Sequence, residues 1–408
     1  MYLMIHFKMG LMKVLFFVFG SKQKYGSEKV AVDVIERLSK MGNEFIVITA
    51  MDGYVRDYCK NNNIETYRIK FYSYLYRRSR FVLLEMIKRI LQVIYGVFLD
   101  CYAVIKLKQK VDLSNIDLIY TNHYNNLIGG YISRKYKIPH IVHLHELFHG
   151  HFSTYPLLPN QIKWVDKHTD SFISCAKNVK ENWVKAGLDP QKIKNIYNGI
   201  EVDTIPSKQC YPCAGEKIKM VMVASISSAK GQHIILKALK SLDVEIRKAF
   251  SIDFYGEADV DEDVKLREFV KKNNINARFL GYDSDIISKL KEYDVGINCS
   301  KAEACCISIL EYKAAGLAVI ASNGGGTSEI VRDRIDGLLF NRNNIKELSD
   351  CLMYLYNDMH EIERFGKNSK YNVCEYFSKD RFIENINIWF KRIISIEGKN
   401  DKCYYGGI

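Results

Sequence analysis

At 408 residues the chain is too long for one ordinary core and suits two domains of about 100–200 residues each. Apolar content of 48% and charged content of 26%, without repeats or low-complexity tracts, are those of a soluble globular protein and set aside fibrous and disordered classes. The net charge of +12 is uneven: 29 Lys and Arg face 18 Asp and Glu up to Ile205, and 30 face 29 beyond it, so an anionic partner is expected for the first half only.

The eleven cysteines follow neither disulfide nor metal-ligand spacing, which predicts a reduced, cytoplasmic chain. Val14 to Phe19 follows Lys13 as a signal peptide would. It is too short for a membrane span and no small-residue cleavage site follows, so it is read as a buried first strand, 13–19. Met12 is an alternative start that would leave the first eleven residues as a disordered extension.

The loop Gly20–Glu28 leads into an amphipathic helix, 30–41, and then a strand, 44–49. This βαβ unit places Gly26 and Ser27 in a turn at the carboxyl end of its first strand, where open α/β sheets bind ligands. Further strands are expected at 64–67 and 118–121. Between them, Tyr72 to Val111 reads as mostly helical, with a basic start and too many charges for a membrane span. Such a basic amphipathic segment suits an anionic membrane surface; a domain helix with a solvated basic face is the other reading. Ile138 to Glu146 is a strand ending in His143 and His145, which share one face. His140, His149 and His151 lie nearby, but H-x-H without a clear third ligand is a thin basis for zinc, and no metal is expected.

Residues 204–217 are polar, hold two prolines, and read as a linker. Beyond it, strands at 220–224, 251–255, 277–280, 296–298 and 317–321 alternate with helices, giving a second doubly wound parallel sheet. Helices are expected at 344–358 and 376–396. The expected domains are 1–205 and 206–375, with 376–408 a helix and tail packing back on the first.

Ser300 to Ser322 reads as loop, helix, turn and strand, the helix at 307–315 stopped by Gly316. Glu303 and Glu311 bracket its start. A helix entrance presents free N–H groups and a positive dipole end, and carboxylates beside it can hold sugar hydroxyls.

These residues resemble the retaining glycosyltransferases of family 4, whose signature is Glu-x7-Glu, the spacing of Glu303 and Glu311. Ser308–Glu311, Ala315–Ser322, Gly324–Val331 and Asp336–Phe340 extend the resemblance. So do Gly26–Lys29 as the glycine loop, Asn198–Asp203 as the domain-closing segment, and Lys230-Gly231 as the donor loop. The resemblance implies an α/β protein of GT-B architecture, with two Rossmann-like domains facing a central cleft. The first would bind the acceptor and the second a nucleoside diphosphate sugar, moved to a glycolipid or polysaccharide hydroxyl with no metal or other cofactor.

By the same resemblance, Lys230 would hold the diphosphate, aided by the N–H groups of Cys305, Cys306 and Ile307. Glu311 would accept from the ribose, Glu303 from the transferred sugar, and His145 would face the reacting centre. Gly26 and Ser27 would form an acceptor or phosphate loop, and Asn198 would lie between the domains. Two departures stand out. Ser225 replaces the family's donor-loop arginine, and Ala304-Cys305-Cys306 replaces Gly-Phe-Gly, narrowing the space for close approach. The alternative is therefore a catalytically weak subunit or scaffold of a glycan-assembly complex. A nucleic-acid binder is disfavoured, since charge alone suggests it and no nucleic-acid motif is present.

Overall fold

The computed structural model describes residues 11–21, 26–77, 82–148, 154–301 and 303–403. The N-terminal extension up to residue 10, part of the Gly20–Glu28 loop, Arg78, Arg80, His149, His151 and Ala302 lie outside the described residues. Two compact units emerge: Met1–Ile196 with Phe382–Ile408, and Tyr197–Arg381.

Unit 1 contains strands β1 (Lys13–Val18), β2 (Glu44–Thr49), β3 (Glu65–Arg68), β4 (Leu75–Arg77), β5 (Leu118–Thr121), β6 (His140–Leu144), β7 (Thr154–Pro156), β8 (Ser171–Ser174) and β9 (Ile193–Asn195). Seven of them form a parallel sheet in the order β3-β2-β1-β5-β6-β8-β9. Its central strands are continuous buried runs, Phe16 and Phe17 among them, as expected of a parallel sheet covered on both faces. The helix Lys379–Cys403 lays Phe382, Ile383, Ile386 and Phe390 into the same core as β1.

Unit 2 contains β10 (Ile218–Val223), β11 (Phe250–Tyr255), β12 (Ala277–Gly281), β13 (Val295–Asn298), β14 (Ala318–Ser322) and β15 (Leu338–Phe340), all parallel, in the order β12-β11-β10-β13-β14-β15. In both units the strand order reverses beside the first strand, between β1 and β5 and between β10 and β13. The loops at the carboxyl ends there are the natural ligand sites of such sheets.

The structure departs from the sequence reading in four places. Residues 204–217 are not a free linker: Lys208 Nζ pairs with Asp294 at 2.9 Å and Tyr211 donates to the Gly316 carbonyl, so the units divide upstream of 205. The chain end is two helices, His360–Tyr376 and Lys379–Cys403, broken at Phe377-Ser378, where Ile200 forms a β-bridge to Ser378. Gly26 and Ser27 open the helix Gly26–Lys40 rather than lying in the loop before it.

Finally, Leu75–Arg77 pairs antiparallel with β7, and the helix starts at Val82 and runs to Lys108. Its outward face is apolar, not basic. Met86, Ile90, Ile94 and Phe98 are exposed, Phe98 at 73%, while Ala103, Val104 and Leu107 pack into the core. It is the one helix among the described residues long and apolar enough to cross a membrane.

Candidate functional site

In unit 2 two loops meet at the carboxyl ends of β10 and β13. The first, Ser225–Gly231, is folded by its own helix: the Gln232 side chain donates to the Ser225 carbonyl at 3.0 Å and accepts from the Ser227 N–H. Gly231 ends it at φ +84°, where a Cβ would stand 2.4 Å from the Cys299 carbonyl oxygen, so only glycine lets the loops approach this closely. Lys301 N–H then donates to the Ala229 carbonyl at 2.9 Å.

That packing sets Lys230 against Glu303. Lys230 Nζ lies 2.6 Å from Glu303 Oε1, an ion pair with both side chains largely shielded. The Glu303 backbone is fixed in turn, its carbonyl accepting from Gly326 N–H at 2.8 Å.

Arg342, which the sequence reading missed, clasps the two loops together. Its Nε donates to the Cys299 carbonyl at 2.9 Å and its Nη2 to the Ser228 carbonyl at 3.0 Å. The available signal was its position just past β15, at the same end of the sheet. Ser225, where the family's arginine is expected, is exposed, so the nearby positive charge comes from Lys230 and Arg342.

The helix Ile307–Ala314 starts beside this pair, with Cys306 as its N-cap at φ −84°. That backbone conformation is open to any residue, so it demands no glycine. The Cys306 thiol turns inward, 3.1 Å from Asn298 Nδ2 and 3.3 Å from Ser308 Oγ. Burial pushes it up to about 12 and keeps it a neutral thiol. The narrowing expected of Cys305-Cys306 thus falls to the half-buried Cys305.

The helix is anchored at its far end. Tyr312 OH accepts from Val223 N–H at 2.6 Å. Lys313, fully buried, donates to the Ile330 carbonyl and Asn372 and pairs with Asp336 at 3.1 Å. Glu311 immediately precedes Tyr312 on this helix, and Gly316 closes the turn at φ +78°.

In unit 1 the corresponding loops gather mostly neutral groups, with the Glu146 carboxylate 4.0 Å from His123 Nδ1. His145, just past β6, lies 2.7 Å through Nε2 from Asn122 Oδ1, and Asn122 Nδ2 donates to the Ser27 carbonyl at 3.2 Å. The sequence-predicted His145 and Ser27 are thus linked through Asn122, which sequence reasoning missed. This network assigns the imidazole proton to Nε2, leaving Nδ1 as an enclosed acceptor without a partner among the described residues.

Burial, helped by His143 and His123, holds His145 well below its usual range, so it is uncharged at neutral pH. The His143 ring lies tilted against it, with centroids 3.9 Å apart, and shares a hydrogen bond with the Tyr120 hydroxyl through Nδ1. His140 belongs to the core, bonded to Thr121 at 2.9 Å. Among the described residues no three His, Cys, Asp or Glu side chains gather at metal-ligand spacing. Asn198 is buried near the start of unit 2.

The arrangement in unit 2 presents a cation, a carboxylate and a helix entrance at a sheet's switch point. Comparison with known proteins agrees with the chemistry this suits. The Glycosyltransferase Family 4 profile matches residues 25–204, and the Glycosyl transferases group 1 profile matches residues 207–371. An uncharacterized glycosyltransferase of Methanocaldococcus jannaschii is 27% identical over 275 residues, 64% of this chain and 72% of its own. The UDP-Gal:alpha-D-GlcNAc-diphosphoundecaprenol alpha-1,3-galactosyltransferase of Escherichia coli is 23% identical, covering 70% of this chain and 78% of its own. Anabaena HepE in complex with UDP has the same fold, with a TM-score of 0.74 at 19% identity, covering 93% of this chain and 100% of that one. With one family profile on each half and two Rossmann-like sheets, the chain belongs to the family 4 and group 1 glycosyltransferases and is an enzyme of GT-B architecture.

Proposed function

We propose that the enzyme moves a sugar from a nucleoside diphosphate donor to a hydroxyl of a lipid-linked or polysaccharide acceptor, with retention of anomeric configuration. The observation that carries this reading is the Lys230–Glu303 pair at the switch point of the second sheet. Departure of the diphosphate dominates the barrier of such a transfer, so a cation and N–H dipoles aimed at it are the main lever.

Lys230 serves as that cation, with the N–H groups of Cys305, Cys306 and Ile307 adding the dipole. Binding draws Lys230 from Glu303 onto phosphate oxygens and frees the carboxylate to accept from the sugar's hydroxyls. Glu311 accepts from the ribose. No metal is required. In unit 1, neutral His145 holds Asn122 and Ser27 as a polar wall for the acceptor, with Gly26 at its edge. The printed name of the Escherichia coli relative, with its UDP-sugar donor and diphosphoundecaprenol-linked acceptor, supports the substrate classes.

Residues 72–110 give the enzyme a peripheral seat on an anionic membrane surface, with Lys88 and Lys108 on the exposed helix beside the apolar residues. The eleven cysteines, which follow no disulfide spacing, suit a cytoplasmic, reducing setting. The test is a panel of nucleotide sugars, read by thermal shift and by slow donor hydrolysis. One donor should raise the melting temperature and be hydrolysed; a panel in which none binds overturns the transferase reading in favour of a scaffold.

A further inference from the structure

The exposed face of the helix Val82–Lys108 has a cavity behind it that the transfer reaction does not use. The cavity has a volume of about 430 Å³, and Tyr74, Val97, Cys101, Ile128, Leu158 and Trp164 are among the residues lining it. Asp100 also lines it, but its carboxylate is engaged by Tyr72 N–H at 2.8 Å and Tyr74 OH at 2.9 Å. Lys135 is the cation among the lining residues, itself exposed, with its Nζ 5.7 Å from the centroid of the Tyr131 ring. A second cavity of about 330 Å³ follows the same flank of the helix, lined by Met86, Ile90, Val93 and Ile94, and shares Leu158 with the first.

Together the two cavities follow the helix from Met86 to Ile105, about 28 Å at a rise of 1.5 Å per residue. They open onto the exposed apolar face, because Val97 and Ile105 are each at least half exposed and also line the first cavity. Water gains little in an apolar slot of this kind, and a hydrocarbon chain gains by leaving water for it.

Position identifies whose chain it is. Leu127 and Ile128, which line the first cavity, end the short loop that begins at Asn122, the residue tied to His145. Five residues of extended chain span at most about 18 Å, so this end of the cavity lies no farther than that from the acceptor wall in the same unit. The exposed Tyr131 and Lys135 suit an anionic head on an apolar tail.

We propose that this flank of the helix holds the hydrocarbon chain of the acceptor, which makes the acceptor a long-chain lipid phosphate or diphosphate rather than a free glycan. The inference rests on the acceptor reading above and narrows it to one class.

Trp164 lines the cavity, while Trp183 and Trp389 lie elsewhere in unit 1, so intrinsic fluorescence reads the site directly. The full-length enzyme is titrated with phosphatidylcholine vesicles carrying a chain-brominated alkyl phosphate, and separately with vesicles of chain-brominated phosphatidylglycerol alone. The expected result is strong quenching by the alkyl phosphate and weak quenching by the bulk lipid. It should disappear in Trp164→Phe, and in Val97→Asp and Cys101→Asp at unchanged melting temperature. Equal quenching by both vesicles overturns the chain site and leaves the helix only the membrane seat proposed above. A dimer in sedimentation that Val97→Asp dissociates, without quenching, overturns it in favour of a second copy. No quenching while UDP or a nucleotide sugar still raises the melting temperature overturns the chain site alone; absence of that nucleotide shift overturns the transferase reading instead.

Discussion

In unit 2 the loops after β10 and β13 are joined by charge: Lys230 to Glu303 across them, and the Arg342 guanidinium on two carbonyls beneath. In unit 1 the loops after β5 and β6 are joined mainly by neutral groups, His145 to Asn122 to the Ser27 carbonyl, beside the uncharged His143, with the Glu146 carboxylate 4.0 Å from His123. The two sheets offer the same topological site and fill it differently. A pole of fixed charges pairs with a ligand that arrives charged, such as a diphosphate. A wall of neutral donors and acceptors orients hydroxyls without competing for a proton. The comparison yields predictions that break the charged side first.

The largest effect is expected at Lys313. It sits fully buried against Asp336, and burial brings it down to about 8. Removing one partner of a buried pair strands the other, so Lys313→Ala should cost about 3–5 kcal/mol. Urea unfolding would measure this, and a loss well below that range would show that Arg332, 2.6 Å from Asp336, suffices as its partner.

Next come Lys230→Ala and Glu303→Gln, each expected to lower kcat by about 10²–10³-fold, the effect of losing one charge-stabilising group. EDTA should leave the wild-type rate unchanged. If either variant keeps the wild-type rate, the charged pole is not where the chemistry happens.

Arg342→Ala removes two charge-assisted hydrogen bonds between the loops, worth about 1.5–3 kcal/mol each. Because these bonds position Lys230 and Glu303 rather than touch the reacting centre, the expected signature is a raised KM for the donor with kcat less affected. A pure loss of kcat would argue that Arg342 itself reaches the diphosphate and replaces the charge missing at Ser225.

Much of this frame was legible in the sequence because parallel strands buried on both faces are written as unbroken apolar runs, as at Leu317–Ala321. The local geometry of the Lys230-Gly231 and Glu303–Glu311 segments was legible: a glycine with positive φ and a helix entrance at a fixed spacing. Arg342 and Asn122 were not, since each works through a backbone carbonyl or side chain brought near only by the sheet. Cys306 misled for the opposite reason. Its side chain enters the core beside Asn298, which no linear pattern reveals. The apolar face of Val82–Lys108 was hidden by the charges at its ends, which made the whole segment read as basic.

The last prediction sharpens the neutral side. Burial lowers His140 to about 4 and His143 to about 3, against an ordinary value near 6.5. The folded unit therefore refuses protons that the unfolded chain accepts below pH 6.5. Stability from these residues is complete above that pH and declines as the pH falls toward 4 for His140 and 3 for His143. At pH 5 the loss is up to about 2 kcal/mol for each histidine, since one pKa unit is about 1.4 kcal/mol. All three tryptophans, Trp164, Trp183 and Trp389, lie in unit 1, so fluorescence-monitored urea unfolding reports this unit alone. Its midpoint should fall between pH 7.5 and pH 5. A midpoint that does not move would mean that the histidines of unit 1 are solvated and chargeable, and the contrast between a charged and a neutral site would collapse.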